Sequence, residues 1–410
     1  MAKILILGAG FGGLQAALGL EKNWRGPGRL EIILADRHDY HLFSPNLYAA
    51  AATEEELVSV SQVKKSLALP LRQILRGRRI QFVRGEIGLL DQAAQTVQVG
   101  GRRLAYDYAV LALGSRSDDF GIPGAAAYGL TLKSLPDALR IRQQAEFIFQ
   151  RQGMSFSKKP LRLLIAGGGY TGLELACELK ELADILCWKY NYPREKMGVM
   201  VVEAAGQLVP GFDERLSRDA FWRLRELGIE VRLSARIAAV EQNFLTLMSE
   251  EKLDYDLLVW AAGIKANGID TAQPLPADRK GRLPVDEFLR VKGFANLFAV
   301  GDMAAVLRPD GSLVPASAQD GESQGNYLAA ALPLLLQNRR PKPYVSKPHG
   351  FIVALGGKWG ILSYNGIYLT GFLAWLADQL AHLRYYAGIV GWWRAVKYIV
   401  FQMEIYGRND

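Results

Sequence analysis

Two short glycine-rich runs carry the spacing most able to do chemistry. Gly8-Ala9-Gly10-Phe11-Gly12-Gly13 follows the apolar run Lys3-Ile4-Leu5-Ile6-Leu7, and Gly167-Gly168-Gly169-Tyr170-Thr171-Gly172 follows Leu161-Arg162-Leu163-Leu164-Ile165-Ala166. Each is Gly-x-Gly-x-x-Gly between a strand-like run and an apolar-periodic helix, the context in which this spacing binds a dinucleotide. The first glycine permits a tight turn and the second lets the backbone approach a pyrophosphate. The third lets helix and strand pack closely, and the helix N-terminus turns free N–H groups and a positive dipole end toward the phosphates. Two such turns in one chain imply two dinucleotides.

A dinucleotide site of this kind places an acidic residue at the end of its second strand, where it reaches the ribose hydroxyls. That residue is Asp36 in Ile32-Ile33-Leu34-Ala35-Asp36-Arg37, and Glu203 in Val199-Met200-Val201-Val202-Glu203. A carboxylate accepts from a diol and repels a 2′-phosphate, so Glu203 favours NADH over NADPH. Glu203 stands further from its glycines than the usual ~20 residues, an excess assigned to the polar, aromatic stretch from Trp188 to Met197. The bland alternative for both is a solvated carboxylate at a strand end.

Glu174 lies two residues past the third glycine of the second turn. Two readings stay open on spacing alone: a carboxylate stabilised by the helix dipole in the first turn, or a group that orients the nicotinamide or handles protons. His38, His41, His349 and His382 have no metal-ligand or triad spacing, and no Gly-x-Ser-x-Gly elbow is present. No metal site is expected. Cys177 and Cys187 form no C-x-x-C pair and cannot hold an iron–sulfur cluster, so reduced structural thiols are expected. Any redox step must therefore be carried by a bound cofactor.

Elements that would position these groups follow from the pattern. The expected fold is α/β, with two Rossmann-like dinucleotide-binding domains and a C-terminal amphipathic helical region. Residues 1–120 form the first part of one domain, ending in the buried run Tyr108-Ala109-Val110-Leu111-Ala112-Leu113-Gly114-Ser115. Residues 121–270 form the second domain, opening with a helix near Pro136 to Gln152 and repeating the plan of the first. Residues 271–345 return to the first domain through Asn296-Leu297-Phe298-Ala299-Val300-Gly301-Asp302, and 346–410 form the C-terminal region.

Composition bounds the class. Half of the 410 residues are hydrophobic and 22% charged, ordinary for globular domains with real cores. The net charge of +8 is scattered, without the basic stripe and reading element that nucleic-acid binding needs; attraction to an anionic membrane surface or to phosphates explains it more simply. The chain starts at once on a strand, so no signal peptide is expected, and no run reaches the ~18 apolar residues of a membrane span.

The C-terminal region has its own pattern. Leu369, Phe372, Leu373, Leu376, Leu380 and Leu383 share one helical face, with Asp378, Gln379 and Arg384 off it. Ile389, Trp392, Trp393, Val396, Ile399, Val400 and Met403 form a second stripe, with Arg394, Lys397 and Gln402 opposed. Tryptophan beside arginine and lysine suits a bilayer interface. Packing on the protein's own core, or on a partner in a homodimer, is the alternative.

With these residues in view, the chain resembles the type II NAD(P)H:quinone oxidoreductases, two-dinucleotide-binding-domain flavoproteins. The marks are the GAGFGG turn, Tyr40-His41-Leu42-Phe43-Ser44-Pro45 with Tyr48, Leu111-Ala112-Leu113-Gly114, and the GGGYTGLELACEL run. Val259-Trp260-Ala261-Ala262-Gly263, Leu297 to Asp302, and Val314-Pro315-Ala316-Ser317-Ala318-Gln319 complete them. The compact size looks more like the cyanobacterial and plant-plastid branch, which includes reductases of naphthoquinone precursors.

The resemblance implies that FAD is held by Gly8, Gly10, Phe11, Gly12, Gly13, Asp36, Arg37, Ala112, Gly114, Gly301, Asp302, Ala318 and Gln319. It implies NADH on Gly167, Gly169, Tyr170, Thr171, Gly172 and Glu203, passing Gly263. Glu174 matches the glutamate near the nicotinamide–flavin contact, and Ala318-Gln319 begins the quinone-site motif, so Glu174 and Gln319 are the expected catalytic residues. Hydride then passes from NADH to FAD and electrons to a membrane quinone, without proton pumping. The expected location is peripheral, on the cytoplasmic face of a plasma or thylakoid membrane. Three departures fall on the acceptor side: Ser323 with Gln324 where a second glutamine is usual, the charged Asp320-Gly321-Glu322, and Asn46 at an aliphatic position. The rival readings are a reductase of a small soluble electron-transfer protein and a flavin-binding sensor with negligible turnover. Lacking a cysteine pair beside the first glycine turn, the chain is not expected to pass electrons to a disulfide.

Overall fold

The computed structural model describes residues 2–26, 28–56, 58–155, 158–347 and 350–406; His349 lies outside them. The chain divides into two compact units, Met1–Leu42 with Ala68–Arg116 and Ile264–His349, and Phe43–Leu67 with Ser117–Gly263 and Gly350–Asp410.

The first unit is built on a five-stranded parallel sheet ordered Leu297–Ala299, Tyr108–Leu111, Ala2–Leu7, Leu30–Asp36, Ile80–Arg84. Its strands read as unbroken apolar runs because helices cover parallel sheets on both faces; Ile4, Leu5, Ile6 and Leu7 have no exposure. Ala2–Leu7 pairs with Leu30–Asp36 on one side and Tyr108–Leu111 on the other, so the strand order reverses there. Open sheets bind ligands in the crevice at such a switch point, beyond the strands' carboxyl ends. Helix Phe11–Asn23 leaves that point, and helix Ala318–Leu335 packs along it. That packing is close because Gly325 has no side chain: a Cβ there would lie 2.3 Å from the Gly12 carbonyl oxygen.

The second unit repeats the plan in four parallel strands ordered Ile229–Arg232, Met197–Val202, Leu161–Ala166, Leu257–Trp260. Its helix Tyr170–Lys189 has 20 residues, against 13 in Phe11–Asn23. The added helical turns, and not the Trp188 to Met197 stretch alone, set Glu203 further from its glycines. Both cysteines lie on this helix, buried and free.

An antiparallel sheet of Phe351–Ala354, Gly360–Tyr364 and Ile367–Gly371 leads into helices Phe372–Val390 and Trp392–Tyr406. Residues 43–67, read from sequence with the N-terminal domain, fall in the second unit. Phe43 lies 4.7 Å from the Tyr386 ring, and Ser66 hydrogen-bonds Tyr406 at 2.6 Å. No helix among the described residues is long and apolar enough to cross a membrane.

Candidate functional site

In the first unit Gly8 has φ +107°, and a Cβ on it would meet the Ala112 carbonyl oxygen at 2.3 Å. A Cβ on Gly13 would sit 2.0 Å from the Gly8 carbonyl oxygen, so the third glycine closes helix onto strand. Gly10 differs: nothing lies within 4 Å of its Cβ position. It is the N-cap of helix Phe11–Asn23, with no side-chain cap and no acidic residue in the first turn. An exposed backbone corner with uncapped N–H groups is what a pyrophosphate requires.

Asp36 sits beside that corner. Its Oδ2 accepts the Ala9 N–H at 2.7 Å and its Oδ1 accepts the His38 N–H at 2.8 Å. A carboxylate has about four lone-pair positions, so two remain for a ribose diol. Arg37 is exposed next to it. These residues suit an adenosine dinucleotide.

The remaining expected contacts lie in the same unit. Ala112 backs Gly13, and Gly114 takes φ +69° with its carbonyl accepting the Asn267 N–H at 2.9 Å. Asn267 Nδ2 also donates to the Leu113 oxygen at 2.7 Å. Asp302 accepts from the Ser115 hydroxyl in the Gly301–Met303 turn. Gln324, 2% exposed, accepts the Gly301 N–H through Oε1 at 2.7 Å. Ala318 is partly buried and Gln319 exposed at the start of helix Ala318–Leu335. Asp320 is part of that helix's cap, since Ser317 Oγ both receives the Asp320 N–H at 3.0 Å and donates to Asp320 Oδ2 at 2.6 Å.

His41, Asn267 and Gln324 were not expected as site residues. His41 is fully buried, with Nδ1 2.8 Å from the Ala9 oxygen and its ring edge-on to Phe11 at 5.1 Å. Burial pushes its pKa down to about 4, against the pull of Ala9 and Asp36. The neutral ring therefore donates Nδ1–H to Ala9 and braces the glycine turn. Its place in Tyr40-His41-Leu42 was the signal for His41; Gln324 stood out only as the glutamine one place beyond Ser323, and Asn267 had no signal.

The second unit reproduces this geometry. Gly167 has φ +115°, Gly172 would clash with the Gly167 oxygen at 2.0 Å if it carried a Cβ, and Gly169 is open and uncapped. Glu203, 8% exposed, accepts the Gly168 N–H at 2.6 Å and the Ala205 N–H at 2.7 Å. Thr171 is exposed, and Tyr170 packs on Phe212 and Phe351 at 5.1 and 4.4 Å. The Phe120 ring covers Gly263, whose Cβ would lie 2.5 Å from it.

Glu174 falls just beyond the first turn of its helix, which holds no acidic residue. The dipole fades over that turn, and burial dominates. Burial raises the Glu174 pKa well above the usual carboxylate range, helped by the charges of Asp378 and Glu178 and opposed by the Ala354 N–H. In the same unit a cavity of about 120 Å³ is lined by Asn46, Tyr48, Glu178, Gln379 and Gln402 among others. Gln402, read as the solvent side of its helix, is instead 2% exposed and donates to the Ser66 oxygen and the Tyr386 hydroxyl, each at 2.7 Å.

The C-terminal helices turn apolar side chains outward. Phe372, Leu373 and Leu380 are more than half exposed and Trp393 is 82% exposed, while His382 and Tyr386 face in. Among the described residues no group of His, Cys, Asp and Glu could hold a metal ion.

Residues 2–325 match the pyridine nucleotide-disulphide oxidoreductase family. The chain is 31% identical over 390 residues to demethylphylloquinone reductase NdbB of Synechocystis, covering 93% of this chain and 91% of that protein. It is 30% identical over 408 residues to the type II NADH:quinone oxidoreductase Ndh of Mycobacterium tuberculosis, covering 94% and 84%. The solved structure of NDH2 from Plasmodium falciparum in complex with NADH superposes with a TM-score of 0.84 at 19% identity, covering 99% of both chains.

Proposed function

Since this chain belongs to the pyridine nucleotide-disulphide oxidoreductase family, among its type II NADH:quinone oxidoreductases, we propose how its residues divide the work. It is an FAD-dependent enzyme that oxidises NADH and reduces a quinone. The first glycine turn with Asp36 holds the adenosine half of FAD, and Asp302 and Gly301 hold its pyrophosphate–ribityl part. Gln324, Asn267 and His41 keep those turns in shape. The second turn with Glu203 holds NADH.

The observation that carries this assignment is the repeated carboxylate. Asp36 bonds Ala9 and Glu203 bonds Gly168, each the second residue of its glycine turn. Each unit thereby presents an uncapped helix end and a ribose-binding carboxylate side by side. Bound in the first unit, FAD supplies the two-electron chemistry that links a hydride donor to a quinone. The chain's own task is to orient the nicotinamide, exclude water and manage protons. Glu174, whose pKa burial raises, is the proton-handling group, and Gln319 serves the acceptor.

The quinone is met at a membrane surface on the cytoplasmic face, where NADH is available. Outward Phe372, Leu373, Leu380, Trp392 and Trp393, with exposed Arg394 and Lys397, support this reading. Apolar side chains facing water gain nothing; at an interface they enter the acyl boundary while the cations meet anionic headgroups. That outward stripe also favours a lipid-borne acceptor over a small soluble electron-transfer protein.

The test is an absorption spectrum of purified protein before and after NADH, followed by a soluble quinone. A flavin spectrum that bleaches with NADH and recovers with quinone is expected. Protein that stays colourless after excess FAD, or a flavin NADH cannot bleach, overturns the assignment.

A further inference from the structure

Phe120 stands in backbone that its own side chain disfavours. Among the described residues three apolar side chains sit at left-handed φ: Phe120 at +52°, Val209 at +47° and Leu289 at +63°. Bulky L-residues rarely adopt such values. Val209 and Leu289 are buried, so packing holds them there, but Phe120 is 51% exposed. Its ring gains little from the core, and hydrogen bonds hold the conformation instead. The Asp118 N–H donates to the Gly263 carbonyl at 2.9 Å, and Trp260 Nε1 donates to the Asp118 carbonyl at 2.7 Å. Asp118 Oδ1 then accepts the Phe120 N–H at 3.1 Å, and Asp119 Oδ1 accepts the Gly121 N–H at 3.2 Å. The loop is thus fastened to the end of strand Leu257–Trp260. Its ring comes down tip first on Gly263, where a Cβ would lie 2.5 Å from Cζ and 3.6 Å from Cε1. With the tip in contact and half the residue exposed, the flat of the ring stays open.

Strained, exposed residues cluster at functional sites, and the sheet fixes which part of a ligand passes this one. Strand Leu161–Ala166 lies between Met197–Val202 and Leu257–Trp260, all parallel, so the three open at one edge. Glu203 stands at one flank of that edge, the glycine turn at its centre and Gly263 at the other flank. Centre and far flank are contiguous, because a Cβ on Gly167 would meet the Ala261 oxygen and the Ala262 Cα, each at 2.6 Å. A dinucleotide with its adenosine ribose on Glu203 and its pyrophosphate on the turn must carry its second half across Gly263. In NADH that half is a ribose bearing a flat nicotinamide.

We infer that Phe120 is a binding residue for the nicotinamide half of NADH, offering its ring face to that half as it crosses Gly263. This rests on the reading of Glu203 and the second glycine turn as the NADH site. Two flat rings in offset contact attract beyond the area they bury. The left-handed backbone aims the Phe120 ring, and the missing side chain at Gly263 gives it room. A loop held by four hydrogen bonds keeps the ring in place before the nucleotide arrives, which spares the cost of ordering it on binding. The contact is specific to one half of the ligand: Glu203 serves the adenosine side and Phe120 the nicotinamide side.

The test uses the flavin-loaded enzyme and the variants Phe120→Gly, Phe120→Leu, Phe120→Tyr and Glu203→Ala. Stopped-flow bleaching of the flavin at rising donor concentration separates the donor's Kd from the limiting rate. The donors are NADH and reduced nicotinamide mononucleotide, which lacks the adenosine half. AMP, which lacks the nicotinamide half, is titrated as a competitor of NADH. Phe120→Gly and Phe120→Leu should raise the Kd of both donors by about tenfold, the scale of one aromatic contact, with AMP inhibition unchanged. Phe120→Tyr should restore wild-type binding, and Glu203→Ala should weaken AMP. Because glycine accepts left-handed φ freely, Phe120→Gly should melt no lower than wild type while binding NADH more weakly. If Glu203→Ala leaves AMP and NADH binding unchanged, the reading of the nucleotide site fails. The inference alone is overturned if Glu203→Ala weakens AMP while the Phe120 variants bind both donors normally. It is equally overturned if those variants weaken AMP as much as the mononucleotide, or if Phe120→Gly loses melting temperature and flavin in step with donor affinity; the ring is then structural.

Discussion

Glu203 accepts the Gly168 backbone N–H at 2.6 Å, so the carboxylate proposed to select the nucleotide is fastened to the turn proposed to receive its phosphates. Its other oxygen is held by Ala205 at 2.7 Å. A carboxylate fixed in this way cannot swing aside for a 2′-phosphate. Glu203→Ala should narrow the NADH over NADPH preference by about tenfold, the scale of one charge-assisted hydrogen bond. The ratio of kcat/KM for flavin reduction by the two nucleotides measures it; an unchanged ratio removes Glu203 from the site.

Gln324 Oε1 is the acceptor for the Gly301 N–H, from the buried side of helix Ala318–Leu335. Gln324→Leu leaves that N–H without its partner, a cost of about 1–3 kcal/mol. Flavin affinity should fall by about tenfold or more, read by fluorescence of released FAD on dilution. Retention equal to wild type would show that the turn holds itself.

His41 gives the first unit a pH dependence whose sign is fixed. Its folded pKa, about 4, lies below the ordinary histidine value of 6.5, so the unfolded chain binds its proton first as pH falls. The neutral ring's contribution is complete above pH 6.5 and is lost as pH drops toward 4. At neutral pH it is on the order of 3 kcal/mol. The melting temperature should decline across that window, and His41→Gln should flatten this part of the curve. A parallel decline in the variant would assign it to other groups.

The outward stripe predicts behaviour on lipid. Deleting everything from about residue 368 would also uncover Phe43 and Ser66, which the C-terminal helices cover. Substituting exposed positions is the cleaner experiment. Leu373→Glu with Trp393→Glu should release the protein from anionic vesicles in flotation, while flavin reduction by NADH stays within about twofold of wild type, since surface changes of this kind cost little stability. Continued flotation would place the lipid contact elsewhere.

Much of the geometry of the two glycine turns could be read from residue order because it is local. A strand, Gly-x-Gly-x-x-Gly and a helix lie within some thirty residues, and Asp36 and Glu203 stand where the next strand must end. The helix from Leu135 to Gly153 and both glycine turns follow from propensity and spacing alone. The supporting residues did not. Gln324 meets Gly301 and Asn267 meets Leu113 only once distant segments fold together.

The C-terminal helices mark the sharpest division. Their apolar stripes are a matter of period, and so were visible in the sequence. Which way the stripes face is not, because a helical wheel has no inside until something packs against it. The tertiary structure turned Asp378, His382 and Gln402 inward and left Phe372, Leu380 and Trp393 outside. It thereby buried Glu174 and brought Asp378, some two hundred residues away in the chain, to act on it, both of which raise the Glu174 pKa. Dinucleotide turns depend on backbone conformation, which adjacent residues dictate; buried charge depends on the dielectric and charges nearby, which only the completed packing supplies.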